Sequence, residues 1–191
     1  MERYLSEFVP PPRLLMGAGP SNVHPRVLRA MSASPLGHLD PDFLLAMDDV
    51  RSMLREVFQT GNALTIPISG TGTAAIEAAL VNMLEPGDNV VIATNGYFGI
   101  RLVEIGKRCG ANVFEVAHPY GSSIDLDAFR KELSKHESVK IAAVVHAETS
   151  SGVCTPLPEI SKMVHDVGDL LVVDAVTSLG GVELRVAEWE I

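Results

Sequence analysis

The chain has 191 residues, of which 47% are apolar and 20% charged, enough apolar material for the core of one ordinary domain. Its net charge is −9 and it has no basic block that could neutralise a row of phosphates, which argues against nucleic acid as a partner. The first residues carry mixed charge and three consecutive prolines, and no apolar run could span a bilayer. We therefore expect no membrane partner and a cytosolic location.

Two helices are predicted in the first third of the chain, after a proline-rich arm. Apolar residues recur at helical spacing over residues 24–31 and 42–58. Pro41 favours the first turn of the second helix. The apolar residues of that helix, among them Val50 and Phe58, should form a buried face.

Beyond residue 60, short apolar strands alternate with helices. The strands are rich in Val and Ile and apolar on both faces, as expected inside a parallel sheet. Right-handed crossovers through the helices would give an α/β fold, a mostly parallel sheet covered by helices. The predicted strands are residues 63–68, 89–93, 112–116, 140–146 and 169–174, with another beginning at 189–191, and the predicted helices are residues 73–84, 98–109, 126–136 and 157–167.

Four polar or glycine-containing loops follow predicted strands. In open parallel sheets, ligands bind beyond the carboxyl ends of the strands, where all of these loops should lie. We therefore expect them to form one binding site. The loops are SGTGT at 69–73, NGYFG at 95–99, HAETSSG at 146–152 and DAVTS at 174–178.

The SGTGT loop has the features of a phosphate cradle. Gly70 and Gly72 let the backbone approach a ligand, while Thr71, Gly72 and Thr73 present amides and hydroxyls at the start of a helix, where the dipole favours an anion. The loop matches neither the dinucleotide fingerprint GxGxxG nor the nucleoside-triphosphate fingerprint GxxxxGK[ST]. The alternative is a glycine-containing turn that only starts a helix.

Asp174 follows the apolar run LLVV directly. A carboxylate there is costly to bury unless it is paired, and a protonated pyridine nitrogen is one partner that would offset the cost. Such a pair keeps the ring an electron sink, as the chemistry of pyridoxal phosphate requires. A metal ligand and a helix cap are the alternatives for this residue.

The two remaining loops offer aromatic and polar groups. Tyr97 or Phe98 could stack on a flat ring, with core packing as the alternative. Polar side chains are concentrated after the run IAAVV and indicate hydrogen bonds to a ligand. These are His146, Glu148, Thr149, Ser150 and Ser151.

No metal site or disulfide is predicted. Cys109 and Cys154 lie far apart without CxxC spacing, and the histidines are scattered without ligand spacing. We interpret both cysteines as small, partly buried apolar residues.

Five segments, in order, carry a family resemblance: LLMGAGPSNVHPRVLRAM, LTIPISGTGTAAIEAALVNMLEPGD, NGYFGIR, VVHAETSSGV and LLVVDAVTSLGG. They resemble the alanine-glyoxylate and serine-pyruvate aminotransferases of the class V pyridoxal phosphate family. The resemblance implies the fold-type I architecture of these transferases. Residues 1–22 would be an N-terminal arm and substrate-side loop, and residues 23–191 part of the large cofactor-binding domain, incomplete at its C-terminus.

The resemblance implies that Thr71, Gly72 and Thr73 hold the phosphate of pyridoxal 5′-phosphate. Gly19, in the GAGPSN loop, would border the substrate pocket. The sequence departs from the family in two places, since Ala18 replaces a proline of the usual GPGP and Thr73 replaces a histidine of some members. The second departure changes how the phosphate is held.

The resemblance also assigns the groups around the cofactor ring. Phe98 would stack on one face of the ring, and Val176 would pack against the other. Thr149 would bond near the phenolic oxygen, and Asp174 would pair with the ring nitrogen.

A Schiff-base lysine and a substrate-binding arginine are further features of the family. In the family, the lysine follows the next strand and the arginine lies in a C-terminal domain. We therefore expect this sequence to be the N-terminal half of such an enzyme, and inactive alone. Its five lysines all lie away from the polar loops: Lys107, Lys131, Lys135, Lys140 and Lys162.

The function implied for the complete enzyme is transamination between a small amino acid, alanine or serine, and glyoxylate or another 2-oxo acid. The family places its sites between two subunits, which implies a homodimer. Transamination of ureidoglycine or another small amine is an alternative within the family. The alternative from a different class is a non-catalytic module that binds a cofactor or phosphate and acts by association.

Overall fold

The computed structural model describes residues 9–191. The chain divides into two units, Met1–Gly37 and His38–Ile191. The predicted N-terminal arm, residues 1–22, falls in the first unit, and its residues 1–8 lie outside the described residues. The predicted boundary after residue 22 stays a prediction.

In the first unit, Asn22 braces the loop that precedes helix α1 (Pro25–Met31). Its Oδ1 accepts a hydrogen bond from the backbone N–H of Leu15 at 2.8 Å, and its Nδ2 donates to the carbonyl oxygen of Arg13 at 2.8 Å. Gly19, the predicted substrate residue, lies in the loop that these two bonds close.

The second unit alternates helices and strands, as the sequence predicts, and most predicted elements agree with the structure within one residue at each end. The helices are α2 (Pro41–Phe58), α3 (Gly72–Met83), α4 (Tyr97–Arg108), α5 (Leu126–Lys135) and α6 (Leu157–Asp166). The strands are β1 (Asn89–Thr94), β2 (Asn112–Ala117), β3 (Val139–Val145) and β4 (Leu170–Asp174).

The strands form one parallel sheet in the order β2, β1, β3, β4. At the carboxyl ends, Thr94 pairs with Ala117, and Val145 pairs with Asp174. All the strands therefore end at one edge of the sheet, which brings the loops after β1, β3 and β4 together. The predicted α/β class with a parallel sheet is confirmed.

Apolar side chains cover both faces of the sheet because successive residues of β1 and β3 point to opposite sides. On one face, Phe129 of α5 and Ile160 of α6 belong to the same buried cluster as Val91. On the other face, Leu80 of α3 and Leu102 of α4 join a second buried cluster. The helices therefore cover the sheet on both sides.

Two predicted strands are wrong. Residues 63–68 form no strand, and Ile66 and Ile68 are exposed. Pro67 lacks an N–H to donate to a ladder, and an apolar run cannot reveal whether a neighbouring strand is available. Residues 189–190 lie in turns, where the N–H of Trp189 donates to the carbonyl of Arg185 at 2.9 Å.

The predicted buried face of α2 is also wrong. No residue of this helix is buried, and Met53 and Val57 are 59% and 49% exposed. Phe58, at its end, is half-buried and packs against the core.

No helix within residues 9–191, α2 included, is long and apolar enough to cross a bilayer.

Core packing under α3 can be tested with two neighbouring residues. Leu80 is 0% exposed and Val81 is 57% exposed. We expect Leu80→Ala to lower the free energy of unfolding by about 2–5 kcal/mol, because it leaves a cavity. Val81→Ala should change it by at most about 0.5 kcal/mol. Chemical denaturation measures both, and equal losses would contradict this packing.

Candidate functional site

The loops at the carboxyl edge of the sheet enclose a cavity of about 210 Å³. All seven residues predicted to bind the cofactor line it, together with Val145 at the end of β3. The seven are Thr71, Gly72, Thr73, Phe98, Thr149, Asp174 and Val176. Their roles in binding, and that of Gly19 in the first unit, stay predictions.

One end of the cavity is formed by the start of α3. Thr71 is the N-cap residue, and its side chain makes no capping hydrogen bond. Among the hydrogen bonds of residues 9–191, none uses the backbone N–H of Gly72 or Thr73, which therefore remain available as donors. Free amides at the positive end of a helix dipole favour an anion.

A glycine is needed at position 72 because the 69–73 and 174–178 loops approach each other closely. A Cβ atom on Gly72 would lie 2.4 Å from Cγ2 of Val176, well inside van der Waals contact. The absence of a side chain at Gly72 thus brings the start of α3 next to the residues that follow β4.

Asp174 lies at the end of β4 and lines the cavity. Burial raises the pKa of this carboxyl group above its ordinary value, and the charge of Glu148 raises it further, while a hydrogen bond from the N–H of Val176 and the charge of Arg101 act in the opposite direction. The protein alone therefore compensates the negative charge of the ionised Asp174 carboxylate only in part. A cationic group in the cavity would stabilise that charge.

The alternatives for Asp174 find little support. Its Oδ1 accepts a hydrogen bond from the N–H of Val176 at 3.0 Å, but residues 176–181 form turns, so there is no helix for it to cap. Within residues 9–191, no group of three or more His, Cys, Asp and Glu side chains is arranged to hold a metal ion.

Glu148 is 1% exposed and caps α4 from a neighbouring loop. Its Oε2 accepts hydrogen bonds from the N–H groups of Phe98 and Gly99, both at 3.1 Å, and its Oε1 accepts from the hydroxyl of Ser150 at 2.7 Å. The Ser150 hydroxyl in turn accepts from the N–H of Tyr97 at 3.0 Å. The sequence predicts ligand contacts for Glu148 and Ser150, but both side chains bind the start of α4 instead.

This cap requires a glycine before the helix. A Cβ atom on Gly96 would lie 2.3 Å from Cγ of Glu148 and 2.7 Å from Oγ of Ser150. Any larger residue at position 96 would push the carboxylate away from the amides that it binds.

Phe98 is held in the first turn of α4 by this cap. Its ring is half-buried, packs against the core cluster under α3 and α4, and also lines the cavity. Tyr97 meets it edge to face, with 5.4 Å between ring centroids, and is itself exposed. Phe98 thus packs against the core and also lines the cavity, while its stacking on a flat ring stays a prediction.

The rest of the 146–152 loop is used in different ways. The hydroxyl of Thr149 forms a short hydrogen bond with that of Thr177 at the cavity edge. His146 is buried, burial lowers its pKa, and among the described residues its Nδ1 has no partner.

Cys154 is exposed, contrary to the prediction of partial burial, while Cys109 is half-buried as predicted.

Arg101 is the site residue that the sequence did not reveal. Its guanidinium donates to the hydroxyls of Thr73 and Tyr97. It lies four residues after Tyr97 on α4, a spacing that places two side chains on one helix face. That spacing was the available signal, but the contact with Thr73 of α3 depends on how two helices pack.

The cap of α4 gives a direct test. Glu148→Gln replaces an acceptor oxygen by an NH₂ group that faces backbone donors. We expect the free energy of unfolding to fall by about 1–3 kcal/mol and the amides of Phe98 and Gly99 to exchange faster with deuterium. Glu104→Gln, an exposed residue of the same helix, is the matched control. Unchanged exchange at both amides together with an unchanged free energy of unfolding would contradict the cap.

Asp174 should make the stability of the ligand-free protein depend on pH. A folded-state pKa above the ordinary 3.8 means that the folded chain holds the proton more tightly than the unfolded chain, so stability is lost as pH rises from 3.8 through the raised value. Asp174→Asn cannot ionise, and its stability relative to the wild type should rise over that window and then level off.

Urea denaturation between pH 4 and pH 8 would measure the difference. Asp49→Asn, which removes an exposed carboxylate from α2, is the control. A relative stability of Asp174→Asn that falls with rising pH would show that the charge of Asp174 is satisfied within the protein.

Comparison with known proteins supports the fold and the family. The family profile described as Aminotransferase class-V matches residues 13–191. The chain is 42% identical over 174 residues to the alanine–glyoxylate aminotransferase of Rattus norvegicus, covering 91% of this chain and 42% of the relative. It is 43% identical over 185 residues to the (S)-ureidoglycine–glyoxylate transaminase of Bacillus subtilis, covering 97% of this chain and 44% of the relative.

A solved structure gives the same result in three dimensions. The alanine–glyoxylate aminotransferase of Nostoc sp. superposes with a TM-score of 0.92 at 48% identity, covering 100% of this chain and 51% of that chain. The chain thus spans about half the length of the proteins that it matches. On the profile match, the sequence identities and the shared fold, this chain belongs to the aminotransferase class-V family.

Proposed function

We propose that this chain supplies the cofactor-binding part of a pyridoxal phosphate-dependent aminotransferase. The observation that carries the proposal is the cavity in which all seven predicted cofactor-binding residues meet. The relatives of this chain in Rattus norvegicus and Bacillus subtilis are both named for transfer involving glyoxylate, which supports glyoxylate as the amino acceptor. Since these relatives are named as enzymes, catalysis is favoured over a non-catalytic binding module.

The residues of the cavity match the chemistry of pyridoxal phosphate. The free amides of Gly72 and Thr73 suit its phosphate, and the under-compensated Asp174 carboxylate suits a protonated ring nitrogen. Phe98 and Val176 provide an aromatic and an apolar surface for a flat ring. The cavity thus offers N–H donors for an anionic group of the ligand and a carboxylate for a cationic group.

The bound cofactor would supply an electron sink that stabilises negative charge at the substrate Cα. Asp174 would keep the ring nitrogen protonated, because its buried negative charge favours a cation beside it. Glu148 would keep Phe98 in position through the cap of α4. Thr149, at the cavity edge, would donate a hydrogen bond to an oxygen on the ring.

Alanine or serine is the proposed amino donor. Ureidoglycine is the second candidate, because the ureidoglycine–glyoxylate transaminase of Bacillus subtilis is 43% identical to this chain. A homodimer is proposed on the family resemblance. Parallel assays of the full-length protein with glyoxylate and each of these three donors would identify the donor by the largest kcat/KM.

Cofactor binding can be measured on the 191-residue chain itself. Pyridoxine 5′-phosphate is a suitable probe, because it keeps the ring nitrogen and phosphate but has no aldehyde to react with lysines. We expect saturable binding by calorimetry, and Asp174→Asn should weaken it at least about tenfold, since an amide carries no charge to pair with the ring nitrogen. Asp49→Asn should bind as the wild type does.

In the full-length protein, Asp174→Asn should lower the turnover of alanine and glyoxylate at least about 100-fold, with the fold intact by circular dichroism. Turnover near that of the wild type would remove Asp174 from the mechanism. A wild-type chain without affinity for pyridoxine 5′-phosphate would contradict the proposed cofactor site.

A further inference from the structure

The guanidinium of Arg101 lies beside Thr73, at the start of α3, and is fixed by several contacts. Its Nη1 donates to the hydroxyl of Thr73 at 2.8 Å, and its Nη2 donates to the hydroxyl of Tyr97 at 2.9 Å. Its central carbon lies 4.9 Å from the ring centroid of Tyr97 and 5.3 Å from that of Phe98, within cation–π distance. Arg101 therefore connects the start of α3 with the aromatic side chains of α4.

Arg101 carries a charge that no carboxylate of the described residues neutralises in a direct ion pair. Among residues 9–191, no acidic side chain forms an ion pair with it, whereas Arg108 of the same helix pairs with Glu77 at 3.6 Å. The charge of Arg101 does act on Asp174, whose pKa it lowers, although burial of that carboxyl group outweighs it. A partly buried cation without a counter-ion attracts an anionic ligand.

The hydrogen bond to Thr73 also decides where the threonine proton points. A hydroxyl has one O–H donor and two lone pairs, and Arg101 occupies one lone pair. The guanidinium has no lone pair to receive the threonine proton, so that proton must be donated elsewhere. Thr73 lines the cavity, where a ligand oxygen can accept it. A cation behind the hydroxyl strengthens that donation.

We propose that Arg101 is a positioning residue that makes the cavity select a phosphate monoester. It orients the Thr73 hydroxyl as a donor beside the free amides of Gly72 and Thr73, and it adds positive charge to that end of the cavity. The inference rests on the proposed cofactor site, and it adds that discrimination between the phosphorylated and unphosphorylated forms of the ligand depends on Arg101.

The test compares two ligands that differ only in the phosphate, pyridoxine 5′-phosphate and pyridoxine. Their dissociation constants are measured by calorimetry with the wild-type 191-residue chain, with Arg101→Met and with the matched control Arg108→Met. We expect Arg101→Met to reduce the preference for the phosphate ester about tenfold, with less than about a twofold change for pyridoxine. Arg108→Met should keep the wild-type preference.

A double-mutant cycle tests whether Arg101 acts through Thr73. Thr73→Val removes the hydroxyl and keeps the shape of the side chain. If Arg101 orients that hydroxyl, Arg101→Met should reduce the phosphate preference less in the Thr73→Val background than in the wild type. Arg101→Lys should rescue part of the preference, because it restores the charge without the two-hydroxyl contact of the guanidinium. Thermal unfolding of each variant reports whether the fold is retained.

The outcomes separate the inference from the function on which it rests. A wild-type preference retained in a folded Arg101→Met variant overturns the role of Arg101 and leaves the cofactor site standing. Equal losses for both ligands also overturn it, since they would mean that Arg101 only supports the aromatic rings. A wild-type chain that binds neither ligand contradicts the proposed cofactor site itself.

Discussion

The cavity depends on the contact between the Glu148 carboxylate and the amides at the start of α4. The loops after β1 and β3 are brought to one edge by the parallel sheet, but the sheet alone does not fix how they meet. Glu148 fixes it, because a buried carboxylate must find donors and the free N–H groups of Phe98 and Gly99 are the donors within reach. The same contact supplies acceptors for free N–H groups at the start of α4, buries the charge of Glu148 and orients the ring of Phe98.

The cavity is electrically asymmetric, and this asymmetry gives it a direction. The helix dipole of α3 and the guanidinium of Arg101 make one part of its lining positive, while the carboxylate of Asp174 contributes negative charge at another part. A ligand with a phosphate at one end and a cationic nitrogen at the other has a single favourable orientation. The orientation of a small ligand is thereby fixed by charge as well as by shape.

Sequence patterns were most informative where the structure is periodic and local. The Val-rich interiors of β1 and β3 predicted a buried parallel sheet, and the four predicted loops contain seven of the residues that line the cavity. The patterns failed at residues 63–68, which have strand composition and no strand partner, and on α2, whose apolar side is at most half-buried. They also missed Arg101, since its contact with Thr73 joins residues 28 apart on two helices. Pairing and packing between distant segments leave no periodic trace in a sequence.

The raised pKa of Asp174 has a consequence for how long the protein persists in a cell. Because the charge of Asp174 is only partly compensated, the empty protein is less stable at neutral pH than it would be with that charge paired. A ligand that binds only the folded chain adds stability in proportion to the logarithm of its concentration above the dissociation constant. Proteases and chaperones act on the unfolded fraction, so the abundance of the protein should rise with the concentration of such a ligand. A shortage of that ligand would then reduce the number of protein molecules as well as the share of them that is loaded.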